Sequence, residues 1–350
     1  MSWVVRIFWN AQERRLRALW RRAIQGAAWF LILSIGQIGV AVIVAASGLA
    51  SGALTPESLA NPAAVQEMIL SLPGLVLALQ AVSFAATLLT VWLAGRLLDK
   101  RPFAGFGFHL NQDWWIDFGF GLALGAALML VIFLVELTAG WVTVQGTFMT
   151  HRPGMSFAGG ILAALVTFVL VGISEELFFR GYQLRNWAEG LHFGSLGPRA
   201  AILIAMLLSS ILFGVLHTGN PNANLASTLN LFLAGLFLAL GYVLTGELAI
   251  PIGLHITWNF FQGQVFGFPV SGLDIRSAAF IVIEQYGPDI WTGGPFGPEG
   301  GLVGVGAMLL GSLLVVLWVR VRYGEARLCP ALASPPGREA APGEVARAQP

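Results

Sequence analysis

The chain has 350 residues, of which 56% are hydrophobic and 11% are charged, with a formal net charge of +1. An ordinary soluble domain carries roughly 25% charged residues, and a soluble core of this length could not hide so much apolar surface, so lipid is the solvent for most of the chain. Nucleic acid is excluded as a partner, because nearly all the basic residues fit a topology explanation.

The first 25 residues mix Trp3, Ile7, Phe8, Leu16, Leu19 and Trp20 with Arg6, Arg14, Arg15, Arg17, Arg21 and Arg22. Two readings fit them: an amphipathic helix lying on anionic headgroups, or a basic flank that sets topology. The basic and apolar regions are both too long for a cleaved signal peptide. Eight continuously apolar segments follow, at 26–50, 72–95, 117–139, 157–182, 200–217, 225–244, 248–267 and 301–320. Crossing the hydrocarbon core as a helix takes ~20 residues. None of the segments alternates as a barrel wall must, so these are helices whose backbone groups pair internally. The expected fold is an all-α integral membrane protein of about eight transmembrane helices, with residues 26–323 as its membrane domain. Past Tyr323 the chain turns to Pro, Ala, Gly and charged residues, and 324–350 reads as a disordered cytoplasmic tail.

The bases set the orientation. The loop after the first span carries Glu57 and Glu67 and no base, so it lies outside. Arg96, Lys100 and Arg101, then Arg185 and Arg199, then Arg320, Arg322 and Arg327 all fall on the opposite side if there are eight spans. Loop 268–300 bears Asp274, Glu284, Asp289 and Glu299 against Arg276 alone, and Arg152 is the one other base placed outside. Both termini are therefore expected in the cytoplasm. Cys329 is the only cysteine, which rules out an intrachain disulfide or a cysteine-based metal site. Gly121 and Gly125 are expected to serve close helix packing.

The fourth, fifth and seventh spans carry polar residues that lipid does not tolerate without a reason. Glu175, Glu176 and Arg180 sit in Gly172-Ile-Ser-Glu-Glu-Leu-Phe-Phe-Arg180, and each charge costs about 2.5–3.5 kcal/mol near a helix centre. Glu176 and Arg180 are four apart and meet on one face, whereas Glu175 is turned about 100° away. The fifth span ends in Phe213-Gly-Val-Leu-His217, and the seventh holds His255-Ile-Thr-Trp-Asn259, whose spacing sends both polar side chains into one cavity. A free glutamate, two histidines and an amide can activate water and stabilise a tetrahedral oxyanion. The expected active site is a polar cavity between the fourth, fifth and seventh helices.

Glu175-Glu176-x-x-x-Arg180, Phe213-x-x-x-His217 and His255-x-x-x-Asn259 resemble, in order, the three motifs of the CAAX prenyl protease type II and bacteriocin-processing intramembrane protease family, over roughly residues 75–270. The resemblance implies an eight-helix endopeptidase acting near the C-terminus of a membrane-embedded or lipidated peptide, in a bacterial plasma membrane. It makes Glu175 the base, His217 its assistant, and His255 with Asn259 the oxyanion holders, with Glu176 and Arg180 in support. The expected mechanism needs no cofactor. Zinc held by Glu175, His217 and His255 is the alternative, with an open position for water.

Each residue also has a plainer reading. The glutamates and Arg180 could form a buried ion cluster, His217 an interfacial cap, and His255 with Asn259 interhelical glue. At the level of the whole chain, the same residues could line a proton- or ion-coupled transport path, or belong to a non-catalytic scaffold or immunity protein. His109, His151 and His192 fall in loops and are assigned no catalytic role. One tension stands: His217 falls near the outer end of its span and His255 near the inner end of its own. A tilted fifth helix, a dipping loop 218–224, or a fourth helix running on toward Glu189 would reconcile them.

Overall fold

A computed structural model gives the architecture and describes residues 3–52, 54–61, 65, 73–150, 155–274 and 278–336. The expectations for Glu67, His151, Arg152 and Arg276, and for tail residues 337–350, lie outside the described residues. The apolar segments fold as helices α1 (Ala18–Ala50), α2 (Pro73–Ala94), α3 (Gln112–Thr138), α4 (Phe157–Glu176), α5 (Pro198–Leu216), α6 (Leu225–Thr245), α7 (Ala249–Phe260) and α8 (Leu302–Tyr323). All but α7 belong to helices long and apolar enough to cross a membrane, seven among the described residues. The chain is an all-α integral membrane protein.

Helix α7 differs because it does not face lipid. Every residue from Ala249 to Ile256 is buried, and a π turn, Phe261–Val265, carries it on. Its closest neighbour is α3, and glycines allow the approach. A β-carbon on Gly121 would lie 2.4 Å from the Ile250 carbonyl oxygen, one on Gly125 would lie 2.5 Å from that of Leu254, and one on Gly253 would lie 2.4 Å from that of Phe118. Gly121 and Gly125 thus have the packing role expected of them. Helix α4 also runs on, through a π segment (Leu177–Leu184) into Arg185–Leu191.

Outside the helices, β1 (Val142–Thr150) pairs antiparallel with β2 (Ala278–Gln285), from Val142 opposite Gln285 to Thr150 opposite Ala278. This ribbon was not anticipated. Its strands lie 128 or more residues apart in register, so no hairpin turn marks the pairing.

Two expectations about the ends need correction. The first helix begins at Ala18, not near residue 26, and the residues before it form a short helix (Trp3–Phe8) and a pair of two-residue strands. Arg15 and Arg21 do not lie on headgroups or in water: they are buried, against Glu189. Their charge did not delay the helix because the protein supplies counter-charge. The tail, in turn, is ordered and packed as far as Ala333. Leu332 and Ala333 are buried, the Cys329 amide donates to the Val243 carbonyl at 2.8 Å, and Arg101 Nη2 donates to the Ser334 carbonyl at 3.2 Å. Its Pro/Ala composition concealed a short apolar stretch, Leu328 to Ala333, that covers the ends of other helices.

Candidate active site

Glu175 and Glu176 end the α-helical part of α4, just before its π segment; such segments recur at functional sites because they re-aim side chains. Glu176 is fully buried, and its Oε1 accepts from Arg180 Nη1 at 3.0 Å and from His255 Nδ1 at 2.8 Å. Arg180 Nη2 donates to the Gly235 carbonyl on α6 at 2.9 Å, and its guanidinium carbon lies 4.7 Å from the centre of the Phe213 ring. A buried charge persists only when paired and hydrogen-bonded, and this cluster is paired through Glu176 Oε1 and the two Arg180 Nη atoms, while Glu176 Oε2 and Arg180 Nε are buried without a hydrogen bond. The pairing of Glu176 with Arg180 is the expected one. The bond from His255 to Glu176 was not foreseen.

Glu175 faces the other way, as the helical period requires. Its Oε2 lies 3.9 Å from His255 Nε2, has no protein hydrogen-bond partner, and belongs to a side chain 29% exposed. The His255 ring therefore stands between two glutamates, with one nitrogen toward each. Because Glu176 can only accept when ionised, Nδ1 carries a proton, an assignment that follows from the partner.

His217 is the residue that ends α5, and its Nδ1 lies 2.7 Å from the Phe213 carbonyl oxygen. A carbonyl only accepts, so Nδ1 donates, and in the neutral ring Nε2 is the basic nitrogen. The Phe213 ring is centred 4.6 Å from the His217 ring and 6.4 Å from the His255 ring, which makes it the spacer between the two imidazoles.

Glu175, His217, His255 and Asn259 all line one cavity of about 360 Å³. Its remaining walls are mostly apolar, including Trp29, Phe168, Phe178 and Phe237. The tension over depth is resolved by two of the helices. Helix α7 is short and buried, so His255 need not sit at the level a spanning helix would give it. The α4 path continues to Leu191, which puts Glu175 near the middle of a 35-residue helix. His109 Nδ1 instead lies 2.6 Å from Glu247 Oε1, His192 Nδ1 lies 2.9 Å from the Ala333 carbonyl oxygen, and neither lines the cavity.

Asn220, Ser271 and Glu299 also line the cavity and were missed. In the sequence Glu299 reads as one of several outer-loop acids. The available signal was the glycine density around it, Gly293-Gly-Pro-Phe-Gly-Pro-Glu-Gly-Gly301. Gly293, Gly294 and Gly297 have φ of 78°, 52° and 110°, so this is a built turn requiring conformations that other residues resist. As for zinc, no three His, Cys, Asp or Glu side chains among the described residues are gathered as a metal site. The set Glu175, His217 and His255 does not fit one in this arrangement, and no step below is routed through a metal.

Residues 157–261, which carry all three motifs, match the family model described as type II CAAX prenyl endopeptidase Rce1-like. The motif-bearing core is thus similar to that family over residues 157–261. A relative in Bacillus subtilis (strain 168), described as the uncharacterised protein YyaK, is 30% identical over 204 residues, which is 56% of this chain and 63% of that protein. The similarity thus spans less than two thirds of the relative's length. No solved structure matches. The matched segment runs from the start of α4 through the end of α7 and so includes Glu175, His217, His255 and Asn259.

Proposed function

We propose that the protein is an intramembrane endopeptidase that cleaves near the C-terminus of a membrane-associated, lipidated peptide in a bacterial plasma membrane, with both termini cytoplasmic. The observation that carries the reading is that Glu175, His217, His255 and Asn259, drawn from three helices, line one cavity. Glu175 Oε2 removes a proton from water as the water oxygen bonds to the scissile carbonyl carbon. His217 Nε2, left basic by the Nδ1 bond to Phe213, accepts the hydrogen bond of the water's second hydrogen. The carbonyl electrons move to oxygen, and the resulting oxyanion is held by Asn259 Nδ2 and His255 Nε2. With Nδ1 already donating to Glu176, Nε2 can donate only from an imidazolium, whose counter-charge is the two glutamates. The tetrahedral species collapses, the C–N bond breaks, and Glu175 returns its proton to the leaving amine.

The test uses purified protein in detergent with a library of prenylated and unmodified peptides, with and without chelator. Glu175→Gln keeps shape but cannot take a proton, so turnover should fall at least ~10²-fold with the fold intact. Turnover within about threefold of wild type would remove Glu175 from the role of base. Elemental analysis of the same preparations should find no stoichiometric zinc. One zinc per chain, lost on replacing His217 or His255, would make those residues ligands and overturn the metal-free mechanism.

A further inference from the structure

Glu299 lies on the turn just before α8, far in sequence from every motif, and yet it lines the same cavity as Glu175. Its side chain is buried, and both carboxyl oxygens accept. Oε1 takes the Ser271 amide at 2.5 Å and the Ser271 hydroxyl at 3.2 Å, while Oε2 takes Gln262 Nε2. Each of these partners leads to a catalytic element. Gln262 sits three residues after Asn259 in the π turn that continues α7, and it also donates to the Pro269 carbonyl at 2.5 Å. The Ser271 carbonyl accepts from Asn220 Nδ2 at 2.9 Å, and the Asn220 amide donates to the His217 carbonyl at 3.0 Å. A hydrogen-bonded belt therefore runs His217, Asn220, Ser271, Glu299, Gln262, and Gln262 follows Asn259 by about one helical turn along the same continuing helix. Among the described residues, Glu299 is where its α5 and α7 halves join by side chains.

We infer that Glu299 is a positioning residue that fixes the separation of His217 from Asn259 by closing this belt. The inference rests on the endopeptidase reading. It deepens that reading, because nothing in the three motifs requires an acid at this turn.

The belt also gives a definite pH dependence. Burial raises the Glu299 carboxyl from 4.5 to about 7, against the opposing pull of the hydrogen bonds it accepts. The groups packed around it add little charge. Ser271 and Gln262 are neutral, α6 carries no charged residue, and the bases of α8, Arg320 and Arg322, are in its last turn. Asp289, in the short helix Asp289–Thr292, points at the Gly294 turn, and Glu175, His217 and His255 share the cavity. All three hydrogen bonds are accepted, so the ionised carboxylate matches the belt, and protonation removes one acceptor. Stability runs the other way. Between about pH 4.5 and about 7 the folded chain keeps a proton that the unfolded chain has lost, so this group makes the fold less stable as pH rises through that window.

The experiment compares wild type with Glu299→Gln, which keeps the acceptor toward Ser271 but presents an amide N–H₂ to Gln262. For wild type, kcat on the cleaved peptide should rise through pH ~7, whereas Glu299→Gln should lack that inflection, with kcat about tenfold lower above pH 8 and KM within about twofold. The decline of melting temperature from pH 4.5 to 7 should flatten in the same variant. Hydrogen exchange reads the belt without any substrate: the Ser271 amide should exchange at least about tenfold faster in Glu299→Ala, with α3 amides unchanged. Wild-type kcat and pH profile in Glu299→Gln would overturn the inference, as would exchange that speeds equally in α3, since that is general loosening. If wild type shows no Glu175-dependent cleavage, it is the endopeptidase reading that fails, and the exchange arm still decides whether Glu299 closes the belt.

Discussion

Glu176 accepts from Arg180 four residues along its own helix and from His255 at a separation of 79 residues, both through Oε1. The first bond was legible in the sequence because helical spacing sets it. The second was not, because no periodicity relates α4 to α7. This shared oxygen separates stability from turnover. Glu176→Gln leaves a buried guanidinium without its counter-charge and should cost about 3–5 kcal/mol in detergent, while its amide oxygen can still accept from His255 Nδ1. Glu176→Leu combined with Arg180→Leu removes both charges and should recover much of the stability. It should not recover turnover, since the His255 Nδ1 proton then has no acceptor. Melting temperature and kcat measured on the single and double variants check this, and a double variant that regains both would show that the His255 bond is immaterial.

At the scale of elements, composition revealed which segments are apolar, and seven of the eight predicted spans fall on helices long and apolar enough to cross a membrane. What it did not reveal was which apolar segment lies inside the bundle. Segment 248–267 reads like the others because a helix buried among helices is as apolar as one in lipid. The ribbon of β1 and β2 was hidden for a different reason: its residues flank spans, and strand pairing across such a separation leaves no local mark. The glycine seam between α3 and α7 is the element-level feature that positions His255 and Asn259. A β-carbon at Gly125 would lie 2.3 Å from Thr257 Oγ1 and 2.5 Å from the Leu254 carbonyl oxygen, whereas one at Gly119 meets nothing within 4 Å. Gly125→Ala should therefore force α7 outward, costing about 1–3 kcal/mol and lowering turnover more than tenfold. Gly119→Ala, on the same helix, should leave both nearly unchanged. Equal effects from the two substitutions would mean that the seam does not position the site.

Across the whole molecule, the bases that sequence reasoning used for topology turn out to have a second use. Arg15, Arg21 and Arg101 converge on Glu189, with Arg21 also facing Asp99 at 3.3 Å. Arg101 reaches the Ser334 carbonyl and Arg15 Nη1 the Asp99 carbonyl, so the segment before α1, the end of α2, the extension of α4 and the packed tail meet at one carboxylate. Charge bias alone could not show this, because a topogenic arginine and a structural one have the same signature in sequence. Glu189 belongs to the same continuous helix as Glu175, yet it lies 14 residues further along, roughly 21 Å at 1.5 Å per residue. That distance decides what its loss should do. Glu189→Ala removes the carboxylate that three buried guanidiniums share, leaving Asp99 beside Arg21 and Glu13 beside Arg15, and the fold should lose about 3–5 kcal/mol, read as a large drop in melting temperature in detergent. Early proteolytic nicking should appear before α1 and after Tyr323, the two segments this carboxylate ties down. Below the new melting temperature kcat should stay within about threefold of wild type, because no member of the cluster lines the cavity. A variant that melts normally would show that Asp99, Glu13 and the backbone carbonyls suffice, and one that melts normally but loses turnover would mean that the cluster acts on the site through α4.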